Sequence, residues 1–380
     1  MKIGIDASRA NDDKKTGVGW YAYHTIQEFK KIIPDNVRVV LYSREPLKGN
    51  LVKLPDNWES KVLKWSPFGF AQGKPLRLWT QFRLSWEMLF HAPDVLFIPA
   101  HVFPIIHPKK TVMTVHDIAA IKFPEAYNWF EKWYTLWSGR IALKKLWKVI
   151  TISQFTKNEL KKEFGVLNLE KVKVIYLGYN KEYEEVVENV DEILKKYKIE
   201  KPYLLSIGRL EEKKNTVRII KAFEKIKNSL QPSAFSLQLV LVGSEGFGYE
   251  KVMEVVNNSK FKNDVIIPGW VGNEDLPALM QGAEVFVFPS LYEGFGIPVL
   301  EAFSAGIPVV ASRGGASEEI GGSACEYVDS MNIDSIVEGI EKVLQNKKSG
   351  VWTAESGKQW ANNFSWEKCA RETWDILLSN

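Results

Sequence analysis

Residues 285–312 read VFVFPSLYEGFGIPVLEAFSAGIPVVAS. The apolar, β-rich run VFVFPS (285–290) predicts a strand that ends at Ser290, and a glycine-containing loop leads to a helix starting near Gly296 or Ile297. A second strand, PVVAS, follows at 308–312. Strand, loop, helix and strand in this order form a βαβ unit, the building block of a parallel sheet with crossover helices. Upstream in the same half, YLLSIG (203–208), LQLVLVG (237–243) and DVIIPG (264–269) repeat the pattern, each followed by a helical or Gly-rich segment. The first half shows it independently with KIGIDA (2–7), VRVVLYS (37–43), VLFIP (95–99), TVMTVHD (111–117), VITIS (149–153) and VKVIYLG (172–178). The reading is α/β: two Rossmann-like, doubly wound parallel-sheet domains facing across a cleft, with ligands at the carboxyl ends of the strands.

The junction is placed between about Gly178 and Lys201, because KEYEEVVENVDEILKKYKIEKP (181–202) is a charged stretch of low strand propensity ending at Pro202. Domains are therefore expected at 1–180 and 181–363. The tail FSWEKCARETWDIL (364–377) reads as a helix with apolar Trp366, Cys369, Ala370, Trp374 and Leu377, and residues 364–380 are expected to cross back to the first domain.

A length of 380 residues suits two domains at about 100–200 residues each, so both cores can form without disulfide or metal staples. No apolar run approaches the roughly 18 residues a membrane-spanning helix needs. The start, MKIGIDAS, has strand-like alternation where a secretory signal would have a basic segment and a long apolar run, so a cytoplasmic protein is expected. Two cysteines, Cys325 and Cys369, fit a reducing compartment and rule out a Cys-rich zinc site. Residues 1–180 hold 28 Lys/Arg against 16 Asp/Glu, while 181–380 hold 22 against 30. The basic half is expected to face something anionic; with no nucleic-acid-reading motif present, nucleic acid is the weaker explanation.

In the opening segment, Glu293 sits just before the helix start. The backbone N–H groups of Gly294, Phe295 and Gly296 can approach an anion at the positive end of the helix dipole. Glu301 follows inside the helix, so that both carboxylates can accept hydrogen bonds from the hydroxyls of one sugar or ribose ligand. Taken alone, Glu301 reads as a solvated helix residue, and Arg209 and Lys214 in SIGRLEEKKN (206–215) read as surface cations. Placement directly after a strand argues instead for an anion site.

These segments resemble the retaining family 4 glycosyltransferases, which have the GT-B fold. The resemblance rests on PSLYEGFGIPVLEAFSAGIPVVAS, SIGRLEEKKN, TGVGWY (16–21), TVHDIAAIKFPEAY (114–127), VITISQFTKNEL (149–160) and VKVIYLGYN (172–180), and so spans nearly the whole chain. It implies that Arg209 and Lys214 grip the diphosphate of a nucleotide-sugar and stabilise the leaving group. Glu293 would bind donor-sugar hydroxyls and Glu301 the ribose. Gly17 and Gly19 would form the glycine-rich loop after the first strand. His116 and Asp117 would lie beside the donor sugar, with His116 contacting it or using its backbone carbonyl to stabilise positive charge at the anomeric carbon. As a lone residue, His116 reads more simply as a structural histidine. Trp270 and Val271, after VIIPG, are candidates for the wall around the base or for core packing. The implied mechanism is front-face displacement without an enzyme nucleophile. With no Asp-x-Asp pair and two cations on the diphosphate, no metal or cofactor is expected.

The resemblance is greatest to mannosyl- and rhamnosyltransferase-like members, which makes GDP-mannose the first donor to consider, with a glycan or lipid-linked acceptor. Basic and aromatic residues interleave in KPLRLWTQFRLSWEML (74–89) and NWFEKWYTLWSGRIALKKLWKV (128–149), which suits peripheral contact with an anionic membrane; the same spacing also fits core packing. A sugar-nucleotide epimerase or phosphorylase on the same fold, and a non-catalytic nucleotide-sugar-binding homologue, are the competing readings.

Overall fold

The computed structural model describes residues 1–64, 78–165, 169–229 and 236–379. The chain divides into two units, residues 1–178 with 364–380 and residues 179–363. Against the expected boundary the division falls between Gly178 and Tyr179.

The first unit contains β1 (Lys2–Asp6), α1 (Gly17–Ile32), β2 (Arg38–Ser43), β3 (Trp58–Val62), α2 (Ser85–His91), β4 (Val95–Ile98), β5 (Lys110–Val115), α3 (Ala119–Lys122), α4 (Trp129–Lys145), β6 (Lys148–Thr151), α5 (Gln154–Phe164) and β7 (Val172–Val174). Its seven strands run parallel in the order β3-β2-β1-β4-β5-β6-β7. The apolar runs identified in the sequence are buried on both faces, as a helix-covered parallel sheet requires: Ile3, Ile5, Val39, Leu41, Phe97, Val112 and Val149 are all 0% exposed.

The second unit contains α6 (Val190–Lys196), β8 (Tyr203–Ile207), α7 (Thr216–Ser229), β9 (Gln238–Val242), α8 (Tyr249–Asn258), β10 (Val265–Gly269), α9 (Leu276–Gln281), β11 (Val285–Phe288), α10 (Ile297–Ser304), β12 (Val309–Ser312), α11 (Ala316–Gly321), β13 (Cys325–Val328), α12 (Ile333–Lys348) and α13 (Ala354–Ala361). Its six parallel strands lie in the order β10-β9-β8-β11-β12-β13. The amphipathic helix α7 buries Ile219, Ile220, Phe223 and Ile226 against Leu204, Leu239 and Leu241 of this sheet.

Both sheets reverse their strand order once, between β1 and β4 in the first and between β8 and β11 in the second. Connections leave such a pair toward opposite faces and open a crevice at the carboxyl ends. Residues 207–215 and 289–296 therefore flank the crevice of the second sheet, and residues 7–9 and 99–101 that of the first.

The terminal helix, α14 (Trp366–Leu378), packs in the first unit against α1. Ser365 caps it by accepting a hydrogen bond from the Lys368 amide. Trp366 stacks on His24 with ring centroids 4.8 Å apart, and Trp374 meets Phe29 at 6.3 Å.

The structure adds two strands that the apolar runs do not reveal, β3 (WESKV) and β13 (CEYV). Each is an edge strand of its sheet, and charged residues such as Glu59 and Glu326 interrupt the apolar run, a composition that protects exposed edges from adventitious pairing. The strand expected at 172–178 is also shorter, ending at Val174.

Candidate active site

The carboxyl ends of β8 and β11 carry the densest chemistry in the second unit. After β8 the chain reaches Arg209, whose Nη2 donates to the Glu245 carbonyl at 3.2 Å and whose side chain is 62% exposed. Five residues on, Lys214 ends a short helical turn, its side chain only 21% exposed. The Lys214 ammonium lies 5.1 Å from the centroid of the Phe288 ring at the end of β11 and donates to Glu293 Oε1 at 2.5 Å. The two residues assigned separate tasks from sequence thus form one ion pair bridging the switch point. Ser206, Gly208, Arg209, Lys214, Phe288 and Ser290 line a small cavity there.

Asn215 joins the same two strand ends and escaped the sequence reading. It occupies the left-handed region (φ +62°), is 2% exposed, and its amide donates to the carbonyls of Pro289 (3.0 Å) and Ser330 (2.7 Å). Those bonds fix the Lys214 turn to the loop that carries Glu293. The signal available in the sequence was an asparagine immediately after a charged turn, a residue type that tolerates positive φ.

Gly296 opens α10 at φ +119°, a conformation that L side chains rarely adopt, and no side chain caps the helix there. The amides of the preceding Gly294 and Phe295 lie in the same loop; the Phe295 side chain is buried. Glu301 lies one turn inside. Part of its surface is accessible, yet burial pushes its pKa up to about 8, and its charge also acts on the buried Tyr183 phenol. The structure separates the two residues proposed for the base wall: Val271 is 2% exposed and belongs to the core, while Trp270 is 60% exposed. Both follow β10, the edge strand two places from β8.

In the first unit, Gly17 begins α1 with nothing within 4 Å of the place a Cβ would take, whereas at Gly19 a Cβ would come within 3.0 Å of the Arg9 carbonyl. Asp117 accepts from the Ala119 amide at 2.9 Å and so starts α3. Of the readings open for His116, the burial of its ring suits a structural histidine or a role through its backbone carbonyl: the residue is 6% exposed, its Nε2 lies 3.1 Å from the Pro99 carbonyl, and its ring meets Tyr21 edge-on at 4.9 Å. The last residues of a strand alternate faces, and this one turns under the loop after β4. Its own carbonyl accepts from Thr156 Oγ1 at 3.3 Å.

Burial lowers the pKa of both His116 and His24 to about 4. An unfolded chain, with histidine near 6.5, takes up these protons first as the pH falls. The contribution to stability is thus complete above about pH 6.5 and is lost as the pH falls through 4. Melting temperature measured across that window should drop on acidification, and His24→Phe should flatten part of the drop.

Comparison with known proteins gives this arrangement its context. The model of the glycosyl transferases group 1 matches residues 189–362, and that of glycosyltransferase family 4 matches residues 15–183. The O-antigen chain mannosyltransferase B of Escherichia coli is 28% identical over 373 residues, covering 94% of both chains. A GDP-mannose-dependent α-(1-6)-phosphatidylinositol monomannoside mannosyltransferase of Mycobacterium tuberculosis is 27% identical over 197 residues, 49% of this chain and 50% of its own. Among solved structures, WaaG, a glycosyltransferase involved in lipopolysaccharide biosynthesis, superposes with a TM-score of 0.74 over 100% of both chains at 16% identity. Anabaena HepE in complex with UDP and glucose does so with a TM-score of 0.74 over 100% of this chain and 99% of its own, also at 16% identity. The fold is therefore GT-B, and with the two family models together taking in most of its length, the chain belongs to the group 1, family 4 glycosyltransferases.

Proposed function

We propose that the protein is a retaining hexosyltransferase that moves mannose from GDP-mannose to a hydroxyl of a glycan or lipid-linked acceptor in cell-surface polysaccharide synthesis. The observation that carries the reaction type is the gathering of Arg209, Lys214 and Glu293 at the switch point of the second sheet. The choice of mannose and of the polysaccharide setting is supported by the names of the relatives, the O-antigen mannosyltransferase above all.

In this reading the second unit binds the donor and the first the acceptor. Arg209 and Lys214 hold the diphosphate, the latter exchanging part of its bond to Glu293 for a phosphate oxygen, and the amides of 294–296 add their dipoles. Glu293, Glu301 and Asp117 take sugar and ribose hydroxyls, and Trp270 flanks the base. The bond from the anomeric carbon to the diphosphate oxygen breaks while the acceptor oxygen bonds to the same face of that carbon. The acceptor proton passes to the departing phosphate, giving glycoside and nucleoside diphosphate. The His116 carbonyl, with a lone pair beyond that used by Thr156, would stabilise positive charge on the sugar. Two cations on the diphosphate do the neutralising work of a divalent ion, so we propose that turnover needs neither metal nor cofactor. Melting curves with GDP, UDP, ADP, dTDP and their sugars, all in EDTA, test this. GDP should stabilise the protein, by about 2.7 kcal/mol at 100 times its Kd; stabilisation by UDP alone would overturn the donor, and no response to any nucleotide, with or without magnesium, would overturn the function.

We also propose peripheral attachment to the cytoplasmic face of an anionic membrane. Residues 74–77 of the first basic-aromatic segment lie outside the described residues. Over 78–91 the segment buries Trp79, Leu84 and Met88 together with the polar Thr80, Gln81, Ser85 and Glu87, yet leaves Phe82, Trp86, Leu89 and Phe90 at least half exposed. Trp129 and Trp133 stand exposed on α4, which ends in the exposed cations Arg140, Lys144 and Lys145. Gln81 joins the two segments, its side-chain amide donating to the Tyr134 hydroxyl at 2.7 Å, and the exposed Ile106 is tied to the first by its backbone amide, which donates to Ser85 Oγ. An apolar face edged by cations matches an anionic bilayer. Among the described residues no helix is long and apolar enough to cross one. Cosedimentation should capture the protein on phosphatidylglycerol vesicles and not on phosphatidylcholine ones, and Trp86→Ser with Trp133→Ser should release it at least ~10-fold.

A further inference from the structure

We propose that the carboxyl edge of the first sheet carries a second oxyanion site, built on Arg44 and Arg9, which holds a phosphoryl group on the acceptor. That this ligand is the acceptor rests on the transferase reading; the site itself rests on geometry. Arg44 directly follows β2, Arg9 comes three residues after β1, and His101 three residues after β4. Arg9 and His101 thereby flank the strand-order reversal of this sheet, the place where α/β folds bind ligands.

Arg44 is the unusual residue. Its guanidinium lies over the Trp79 ring at 5.3 Å and is partly buried, but it makes no hydrogen bond or ion pair with any described residue, and its Nε is enclosed without an acceptor. A guanidinium taken from water without a partner is costly, so buried charges are normally paired. Burial opposes the charge of Arg44; the Asp6 carboxylate offsets this by attraction, Arg9 repels it and Asp12 attracts it. Asp6 makes no hydrogen bond to Arg44; its Oδ1 accepts from the amide and hydroxyl of Ser8. Arg9 has one loose ion pair, with Asp12 at 3.6 Å, and its side chain is 52% exposed. β1 lies between β2 and β4 in the sheet, so the loop that carries Arg9 emerges between those that carry Arg44 and His101, and the Arg9 charge is felt at both. Two guanidinium groups with donors to spare, one backed by an aromatic ring, are suited to bidentate recognition of a tetrahedral oxyanion. Carboxylates nearby select against a diffuse anion and leave the directed bonds to decide.

The test is calorimetric titration of the full chain with inorganic pyrophosphate. Two binding events are expected, one removed by Arg209→Ala and the other by Arg44→Leu, with Arg9→Ala weakening the second at least ~10-fold and Arg44→Lys restoring part of it. If both events persist in Arg44→Leu and in Arg9→Ala, the proposal is overturned; Arg9, being half exposed, keeps the test valid if Arg44→Leu fails to fold. Loss of the GDP response and of the Arg209-dependent event, with the Arg44-dependent event intact, would overturn the transferase reading alone. Glycerol phosphate in place of pyrophosphate separates a monoester ligand, which should compete at the Arg44 site, from a diphosphate, for which it should not.

Discussion

Arg209→Ala should lower kcat on the order of 10²-fold or more while the chain folds normally. The side chain is 62% exposed and its hydrogen bond goes to the Glu245 carbonyl, with Glu211 3.9 Å away, so little packing is lost on truncation. What is lost is a fixed positive charge where the proposed diphosphate acquires negative charge as the glycosidic bond breaks. Charge stabilisation that grows toward the transition state appears in kcat, and removal of one such donor typically costs 10²–10³-fold. Single-turnover measurement of nucleotide release would check this. A fall in affinity with kcat intact would show that Arg209 binds substrate and transition state equally, and full activity would remove it from the site.

Gly243→Ala should destabilise the second unit more than any surface substitution, by roughly 3 kcal/mol or more on the scale of backbone strain and overpacking. Gly243 closes β9 at φ +149°, and a Cβ there would lie 1.9 Å from the Gly208 carbonyl oxygen. Gly208 in turn donates to the Val242 carbonyl at 2.9 Å and leads directly into Arg209. The methyl group must therefore push apart two backbones at the spot that aims Arg209, so melting temperature and nucleotide binding should fall together. Gly17→Ala is the matching control, since nothing stands within 4 Å of its Cβ; its melting temperature should hold or rise, as expected of alanine replacing glycine in a helix. Retained stability in Gly243→Ala would mean that the two strand ends can separate freely.

Central strands were legible because they are buried on both faces and so are written as unbroken apolar runs; β1, β5, β8 and β11 stand within a residue or two of where those runs lie. Of the four edge strands, β7 and β10 were legible from their apolar runs, whereas β3 and β13 were not, since the charges that protect those edges interrupt the apolar pattern. The glycine and cation motifs pointed to the ends of β8 and β11, and the strand order puts both at a switch point. Sequence could not show that Lys214 and Glu293 contact each other, because that depends on how far two loops from different strands lean together. Nor could it single out Asn215 or Arg44, whose significance lies in partners far along the chain, or in the want of one. For His116 the sequence left a structural and a ligand-facing reading open, because a residue just past a strand can turn to either side and the loop holding Pro99 decides which.

The placement of α14 carries a last consequence for biosynthesis. The first unit is interrupted, its sheet complete by residue 174 and its closing helix made only after the whole second unit has been translated. On the ribosome, Phe29 and the rest of the α1 surface that receives Trp366 and Trp374 must wait uncovered while more than half of the chain is still to come. Residues 179–363, by contrast, form a continuous stretch that can fold as it emerges. The unit that is begun first is thus the one finished last, and a message truncated near its end would leave the second unit whole and the first without its closing helix.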